Sequence, residues 1–155
     1  MITRLNHAVL FVRDTDVAVA FYRDVLGFRV VASEQGGAAV FMRAEGSDNH
    51  HDLGLFAVGS TAAHPSPGST GLYHLAWEVG AIEDVASLAA KLAEKQALVG
   101  ASDHGVSKSL YGRDPDGNEF EIMWRVPRDD WGEAAEHGVV RPLDLESEVA
   151  RYRGH

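Results

Sequence analysis

The residues with the clearest chemistry lie in one stretch late in the chain, from Asp103 to Trp124. It contains a histidine, His104, a tyrosine, Tyr111, and a glutamate, Glu121. Between the tyrosine and the glutamate comes the run Asp-Pro-Asp-Gly-Asn, in which proline suits the first corner of a type I turn and glycine suits the left-handed position after it. A hairpin loop of residues Pro115 to Gly117 would place Tyr111 opposite Glu121 on one sheet face, whereas a loop longer by one residue would not.

Two further histidines occur at equivalent places in an internal repeat. Leu5-Asn6-His7 matches Leu72-Tyr73-His74 at an offset of 67 residues, and we predict that both histidines lie on the first strand of a repeated module. Together with Glu121 they would offer two imidazoles and one carboxylate from three strands. Such a set holds one face of a divalent metal and leaves other positions open, as in non-haem Fe(II) sites that react with oxygen, although Zn(II) accepts the same ligand types.

The repeat also predicts how many protein ligands the metal would have. The 67-residue offset maps Glu121 onto Gly54, and a slip of one residue gives Leu53 or Leu55. None of these side chains binds a metal. We therefore expect three protein ligands, not four.

The elements that would position these residues have the same order in each half, βαβββ. In the first half we predict strands over residues 5–12, 28–33, 38–43 and 53–58. A helix is capped by Asp14 and stopped by Gly27, with the apolar stripe Val17, Ala20, Phe21 and Val25.

The second half repeats this order after a linker of small residues, 59–70, which contains two prolines. We predict strands over 72–79, 97–101, 107–113 and 119–125, and a helix with the stripe Ile82, Val85, Leu88, Ala89 and Leu92.

The predicted fold is α+β. Two paired βαβββ modules, 1–58 and 71–126, form a single domain, 1–126, with a curled, barrel-like mixed sheet around a metal-containing cleft and the helices outside. The tail, 127–155, lies outside the repeat, and Leu143, Leu145 and Val149 predict a short helix in it.

The composition excludes several classes of partner. The 155 residues carry a formal net charge of −9 at pH 7, and the pI is near 5.2, which argues against nucleic acid or an anionic membrane surface as partner. There is no cysteine, so neither disulfides nor thiolate ligands are expected. With no signal-peptide pattern and no window of membrane-spanning length, the default expectation is a cytoplasmic protein.

The paired βαβββ modules resemble the vicinal oxygen chelate superfamily. This superfamily includes glyoxalase I, the bleomycin and fosfomycin resistance proteins and the extradiol ring-cleavage dioxygenases. The hairpin is similar to the extradiol signature of a histidine, an aliphatic residue followed by tyrosine, an acidic residue followed by proline, a glycine and a glutamate. These positions are His104, Leu110-Tyr111, Asp114-Pro115, Gly117 and Glu121. Ser102, where the family pattern prefers Gly, Asn, Thr, Ile or Val, is the one departure.

The resemblance implies a role for each residue. His7, His74 and Glu121 match the iron ligands of extradiol dioxygenases. His51 matches the acid–base histidine, although spacing alone does not decide between it and its neighbour His50. Tyr111 matches the tyrosine that hydrogen-bonds a substrate oxygen. His104 matches a histidine that does not bind the metal itself but supports the residues around it.

The resemblance therefore implies an Fe(II)-dependent extradiol dioxygenase, with Mn(II) or Zn(II) as alternative metals and a small aromatic substrate and O2 as partners. Many extradiol enzymes carry two such domains, whereas this sequence predicts one. We expect a homodimer that supplies the missing wall, and a smaller substrate or a lost dioxygenase activity are the alternatives. Two alternatives remain open. One is a glyoxalase-like lyase or isomerase, which would require a fourth side-chain ligand near residues 53–55. The other is a metal-free binding protein of the resistance type.

Overall fold

The computed structural model describes residues 1–64 and 68–154. Both prolines of the predicted linker, Pro65 and Pro67, lie outside the described residues, as does the last residue of the tail. The described chain divides into two compact units, and the division falls near the predicted linker.

The first unit comprises Met1–Ser69 and the short segment Asp114–Gly117. Its four strands form a mixed sheet in the order β1-β4-β3-β2, in which β1 and β4 are parallel and the other neighbours antiparallel. The elements are β1 (Ala8–Val12), α1 (Thr15–Asp24), β2 (Arg29–Glu34), β3 (Ala39–Arg43) and β4 (Leu53–Ala57).

The second unit comprises Thr70–Arg113 and Asn118–His155 and repeats this arrangement with the sheet order β5-β8-β7-β6. The β5–β8 pair is parallel, and the other two pairs are antiparallel. Its elements are β5 (Leu75–Val79), α2 (Ile82–Glu94), β6 (Leu98–Asp103), β7 (Ser107–Arg113), β8 (Glu119–Arg125) and, in the tail, the predicted short helix, α3 (Leu145–Tyr152).

The strand registers confirm the repeat. The parallel pairs start at Ala8↔Leu53 in the first sheet and at Leu75↔Phe120 in the second, and both partners differ by the predicted 67 residues. One position further along, Gly54 and Glu121 are structurally equivalent, as the offset requires.

Two details differ from the expected fold. The strands belong to two separate four-stranded sheets, not to one continuous curled sheet. In addition, β1 begins at Ala8 and β5 at Leu75, so that His7 and His74 each lie one residue before a strand. Pairing in the first sheet starts only where the Ala8 N–H donates to the Asp52 carbonyl at 2.9 Å, which leaves the preceding residues outside the ladder.

The predicted apolar stripe of α1 is wrong at Val17 and only partly buried at two of its other positions. Val17 is 52% exposed, and Ala20 and Phe21 are only half-buried. Within the helix, Thr15, Ala18 and Tyr22 are buried instead, and Val25, the fourth predicted position, is buried at the C-cap. The buried face includes polar groups with partners, which apolar periodicity alone does not detect: Thr15 Oγ1 donates to the Gly37 carbonyl at 2.7 Å, and Tyr22 Oη donates to Asp114 Oδ2 at 3.2 Å.

The other helix predictions are confirmed. Asp14 caps α1, since its Oδ1 accepts from the N–H groups of Asp16 and Val17 at 2.8 and 3.1 Å. In α2 the predicted stripe faces the core, with Ile82, Val85 and Leu92 fully buried. Among the described residues, no helix is long and apolar enough to cross a membrane.

Candidate functional site

The hairpin adopts the predicted turn and register. The Gly117 N–H donates to the Asp114 carbonyl and the Asp116 N–H to Asp114 Oδ1, both at 2.9 Å, while Gly117 takes φ +83°. With this loop length Tyr111 pairs with Glu121 across β7 and β8. The local turn therefore places the tyrosine and the carboxylate on the same face of the second sheet.

His74 joins this pair from the residue before β5. Because β5 runs parallel to β8, the His74 ring reaches Glu121, with Nε2 3.1 Å from Oε2. The same ring lies 5.8 Å from the Tyr111 ring, measured between centroids. The side chains of His74 and Glu121 are 24% and 13% exposed, so the pair is shielded but open to a ligand.

The His74–Glu121 pair fits a metal with nitrogen and oxygen ligands. Two donor atoms at about 2.1 Å from one ion and at right angles to each other are about 3.0 Å apart. The observed 3.1 Å matches that spacing, and it is also an ordinary hydrogen-bond length in the absence of metal. Within the described residues, the buried Nδ1 of His74 has no hydrogen-bond partner.

Tyr111 is held from behind by His104. His104 Nε2 lies 2.8 Å from Tyr111 Oη, and His104 Nδ1 lies 2.9 Å from the carbonyl oxygen of Val139 in the tail. Burial raises the pKa of Tyr111, and the negative charge of Glu121 raises it further, while a hydrogen bond with Ser102 opposes the shift. Tyr111 is therefore a neutral phenol at physiological pH.

The first unit brings His7 and His51 together. Their ring centroids are 4.5 Å apart, and the His51 ring also contacts Phe41 at 4.9 Å. His50 is exposed, and its Nδ1 lies 3.0 Å from Nδ1 of His51. Of the two neighbouring histidines, His51 is thus the one beside His7.

The surroundings of His51 favour its neutral form. Burial lowers the pKa of His51, and the adjacent His7 and His50 lower it further, while the charge of Asp52 opposes them. A neutral imidazole can accept a proton from an acid bound beside it, which is the state a general base requires.

An amide chain orients His7. Its Nδ1 lies 2.9 Å from Oδ1 of Asn6, and since an amide oxygen only accepts, Nδ1 carries the hydrogen and Nε2 keeps its lone pair. Asn6 Nδ2 donates to Asn49 Oδ1 at 3.1 Å, and Asn49 Nδ2 donates to Asp52 Oδ1 at 2.7 Å. A metal-binding histidine is commonly held in this way through its other ring nitrogen.

The predicted site residues thus form two clusters, each within one unit. His7 and His51 belong to the first, and His74, Glu121, Tyr111 and His104 to the second. Within residues 1–64 and 68–154, no group of three or more histidine, aspartate and glutamate side chains is placed to hold a metal ion.

Sequence reasoning missed the groups that orient these residues. The Val139 carbonyl is a backbone atom and carries no signal in the residue type. Asn6 and Ser102 carry only a weak one: the first precedes a predicted ligand, and the second is the position where the hairpin departs from the extradiol pattern.

Comparisons with known proteins identify the family and the fold. Residues 4–122 match the family model described as the Glyoxalase/Bleomycin resistance protein/Dioxygenase superfamily. The fold is similar to the crystal structure of a glyoxalase/dioxygenase from Nostoc punctiforme, with a TM-score of 0.67 and 19% identity over 80% of this chain and 92% of that one.

Similar curated proteins include dioxygenases. A catechol-2,3-dioxygenase of Bacillus subtilis (strain 168) is 32% identical over 89% of this chain and 47% of its own length. A manganese-dependent 2,3-dihydroxybiphenyl 1,2-dioxygenase of Geobacillus genomosp. 3 is 30% identical over 82% of this chain and 38% of its own. The chain thus spans about half the length of these two relatives, or less.

A shorter relative matches over most of its length. It is a virulence protein of Salmonella typhimurium, 35% identical over 81% of this chain and 87% of its own length. The family match covers most of the repeat described above, including His7, His74 and Glu121. The chain therefore belongs to the glyoxalase/bleomycin resistance protein/dioxygenase superfamily, the vicinal oxygen chelate proteins.

Proposed function

We propose that this protein is an Fe(II)-dependent extradiol dioxygenase that cleaves a catechol-type aromatic ring with O2. The observation that carries the proposal is the His74–Glu121 pair, 3.1 Å apart and beside Tyr111, in a chain about 30% identical to named catechol and biphenyl-diol dioxygenases.

The proposed metal ligands are His7, His74 and Glu121. Two imidazoles and a carboxylate are the donor set of non-haem Fe(II) oxygenases, and Mn(II) or Zn(II) would accept the same set. The manganese-dependent relative supports Mn(II) as the first alternative. When bound, the metal would make a catechol more acidic and hold it beside O2.

His51 is the proposed acid–base residue. One proton must leave the catechol as it binds, and one must return when the ring opens. A histidine accepts and donates protons near neutral pH, and the lowered pKa of His51 keeps it ready to accept the first one. Its neighbour His50 is exposed and serves as a matched comparison.

Tyr111 is the proposed partner of a substrate oxygen, with His104 behind it. Its raised pKa keeps the hydroxyl protonated, so that it takes part in hydrogen bonding and not in charge pairing. The expected product is a muconic semialdehyde, from cleavage next to the two hydroxyl-bearing carbons.

Aromatic side chains near His51 suit an aromatic substrate. Phe41 contacts the His51 ring, and Phe56 contacts Phe41 edge to face with centroids 5.9 Å apart. Both are half-buried, and Phe11 on the neighbouring strand β1 is 73% exposed. Offset and edge-to-face contacts with such rings would favour a planar aromatic ligand over an aliphatic one.

The position equivalent to Glu121 favours the dioxygenase over a glyoxalase-like lyase. That position is Gly54, and a Cβ built there would lie 3.3 Å from Val9 and 3.4 Å from Phe56. A fourth ligand side chain is therefore missing, and its place is crowded. Three protein ligands would leave more positions for a chelating substrate and oxygen.

Metal analysis of protein prepared without oxygen, followed by oxygen uptake with a panel of catechols, tests the proposal. We expect stoichiometric iron and one O2 consumed for each catechol, with a yellow semialdehyde product. Bound Fe(II) without oxygen uptake on any catechol would contradict it. Bound zinc or nickel with lyase activity on a thiohemiacetal would favour the glyoxalase-like alternative.

A further inference from the structure

The tail of the second unit reaches the candidate site through a backbone atom. The carbonyl oxygen of Val139 lies 2.9 Å from Nδ1 of His104, and Nε2 of the same ring lies 2.8 Å from Tyr111 Oη. The histidine thus bridges a tail residue and the site tyrosine, and both contacts are partly buried.

The two contacts fix the direction of each hydrogen bond. A carbonyl oxygen has no hydrogen to give, so Nδ1 must carry the hydrogen and donate it to Val139. A neutral imidazole carries only one such hydrogen, which leaves Nε2 as an acceptor. The Tyr111 hydroxyl must then donate its hydrogen to His104, so that its oxygen acts as an acceptor toward its other partners, the Ser102 hydroxyl among them.

Backbone and side-chain contacts fix the tail beside the strand that precedes His104. Asp103 and Arg141 form an isolated bridge in which each backbone N–H donates to the other's carbonyl at 2.9 Å. Lys108, whose side chain is 5% exposed, lies 2.7 Å from Asp103 and 3.1 Å from Glu148 of α3. Val139 is therefore two residues from a fixed backbone contact.

We propose that the tail segment Gly138–Arg141 is a positioning element for the site tyrosine. Through the Val139 carbonyl it holds His104 with its hydrogen on Nδ1, and His104 in turn makes the Tyr111 hydroxyl a donor to Nε2. Tyr111 consequently presents its oxygen, not its hydrogen, to a substrate hydroxyl. The substrate part of this statement rests on the proposed dioxygenase function, whereas the orientation of His104 does not.

The first test is the tautomer of His104 in the full-length protein. Nitrogen NMR of histidine-labelled protein at about pH 8, well above the ordinary histidine pKa of about 6.5, identifies which ring nitrogen carries the hydrogen. The signal is assigned by its absence in His104→Gln. We expect the hydrogen on Nδ1, and a hydrogen on Nε2 would overturn the proposal whether or not the protein turns over catechols.

The second test compares two changes at Arg141. Arg141→Pro removes the N–H that donates to Asp103, while Arg141→Ala keeps the backbone bridge and removes only the side chain. We expect Arg141→Ala to keep the wild-type tautomer. Arg141→Pro should give a mixture of both tautomers and lower kcat by about tenfold, with KM changed by no more than about twofold, as the loss of roughly one hydrogen bond predicts.

The outcomes of the two tests are distinct. If Arg141→Pro and Arg141→Ala show the same His104 tautomer and the same kcat, the tail does not position the ring and the proposal fails. If Arg141→Pro does not fold, the wild-type tautomer still decides. If wild-type protein consumes no oxygen with any catechol, the dioxygenase proposal fails while the tautomer measurement stands on its own.

Discussion

At the scale of single residues, the candidate ligands are oriented before any metal binds. Nδ1 of His7 donates to Asn6, which directs its Nε2 lone pair away from that contact. Nε2 of His74 already faces Oε2 of Glu121. Preorganised donors lose less freedom when the ion arrives, which favours affinity.

Replacing the carboxylate tests the ligand assignment. Glu121→Ala should weaken binding of Fe(II) or Mn(II) by more than about 100-fold, since it removes the charged ligand of the proposed set. Its free energy of unfolding should change by no more than about 1 kcal/mol, because the side chain is not part of the core. Isothermal titration with Mn(II) and chemical denaturation measure the two quantities.

Glu119→Ala is the matched control for this change. Glu119 lies two residues earlier on the same strand, has the same 13% side-chain exposure as Glu121 and pairs with the exposed Arg113 at 3.2 Å. Glu119→Ala removes the same charge as Glu121→Ala without removing a proposed ligand, so the metal affinity should stay close to that of the wild type. Stoichiometric metal in Glu121→Ala would show that another carboxylate is the ligand.

Replacing the proposed acid–base residue separates catalysis from metal binding. His51→Ala should keep the metal and lower kcat by about 10² to 10⁴, the usual contribution of a positioned general base. His50→Ala removes the exposed neighbour and one of the charges that lower the pKa of His51, and should change kcat far less than His51→Ala does. Oxygen uptake and metal content are measured on the same samples, and loss of metal in His51→Ala would make His51 a ligand.

At the scale of elements, the loop before β4 is held by one buried carboxylate. Asp52 accepts from the Ala44 N–H at 2.9 Å, from Ser47 Oγ at 2.7 Å and from Asn49 Nδ2 at 2.7 Å. Burial alone would raise the pKa of Asp52, but these hydrogen bonds and the nearby charge of Arg43 outweigh it and hold the pKa below its ordinary value. The loop carries His51 directly before Asp52, so the carboxylate also positions the proposed base.

Stability should therefore depend on pH through Asp52. Since the pKa is lower in the folded than in the unfolded chain, the ionised carboxylate stabilises the fold above about pH 4, and this contribution is lost as pH falls through the folded-state pKa. Asp52→Asn should cost about 1–3 kcal/mol at pH 7, and the difference from wild type should shrink below pH 4. Urea denaturation at a series of pH values measures it.

Asp48→Asn is the control for the pH series. Asp48 is 90% exposed, and its ion pair with Arg4 is long, at 3.7 Å. Removing its charge should therefore change the free energy of unfolding little at any pH. If Asp52→Asn loses as much stability at pH 3 as at pH 7, the effect comes from altered packing of the loop and not from the charge.

At the scale of the whole molecule, the two units have the same strand order and register, yet they carry different parts of the proposed site. The first carries one proposed histidine ligand and the proposed base, and the second carries the other proposed histidine ligand, the proposed carboxylate ligand and the tyrosine. The proposal therefore requires the two kinds of module to act together, either in one chain or in two copies of it.

We expect the protein to be a homodimer in solution. The proposed site needs residues of both kinds of module, and two copies of the chain would supply them. Light scattering coupled to gel filtration measures the mass, and a monomer with full turnover on a catechol would contradict this expectation.

Co-expression of two inactive variants then shows how the ligands are shared. A mixed dimer of His7→Ala and Glu121→Ala regains one complete ligand set only if each set draws on both copies. Restored oxygen uptake would show sharing between chains, and continued inactivity of a verified mixed dimer would show that each chain supplies its own set.

Much of the architecture could be predicted because its signals are local. The repeat offset, the cap at Asp14 and the stripe of α2 follow from residue types at fixed spacings, and the structure confirms them. The stripe of α1 could be predicted only in part, because Phe21 and Tyr22 are adjacent and both large, and their types do not decide which of them is buried. Tyr22 is the one that is buried, and its hydroxyl donates to Asp114, which is 92 residues away in the sequence.

The candidate site divides in the same way. The sequence by itself predicted that Tyr111 faces Glu121 across a three-residue loop, since the loop length sets the register of a hairpin, and the structure confirms that register. It also determined that Gly54 is the counterpart of Glu121. Only the tertiary structure decided that the Val139 carbonyl orients His104. That partner is a backbone atom 35 residues away, and every residue type has the same carbonyl, so packing alone selects it.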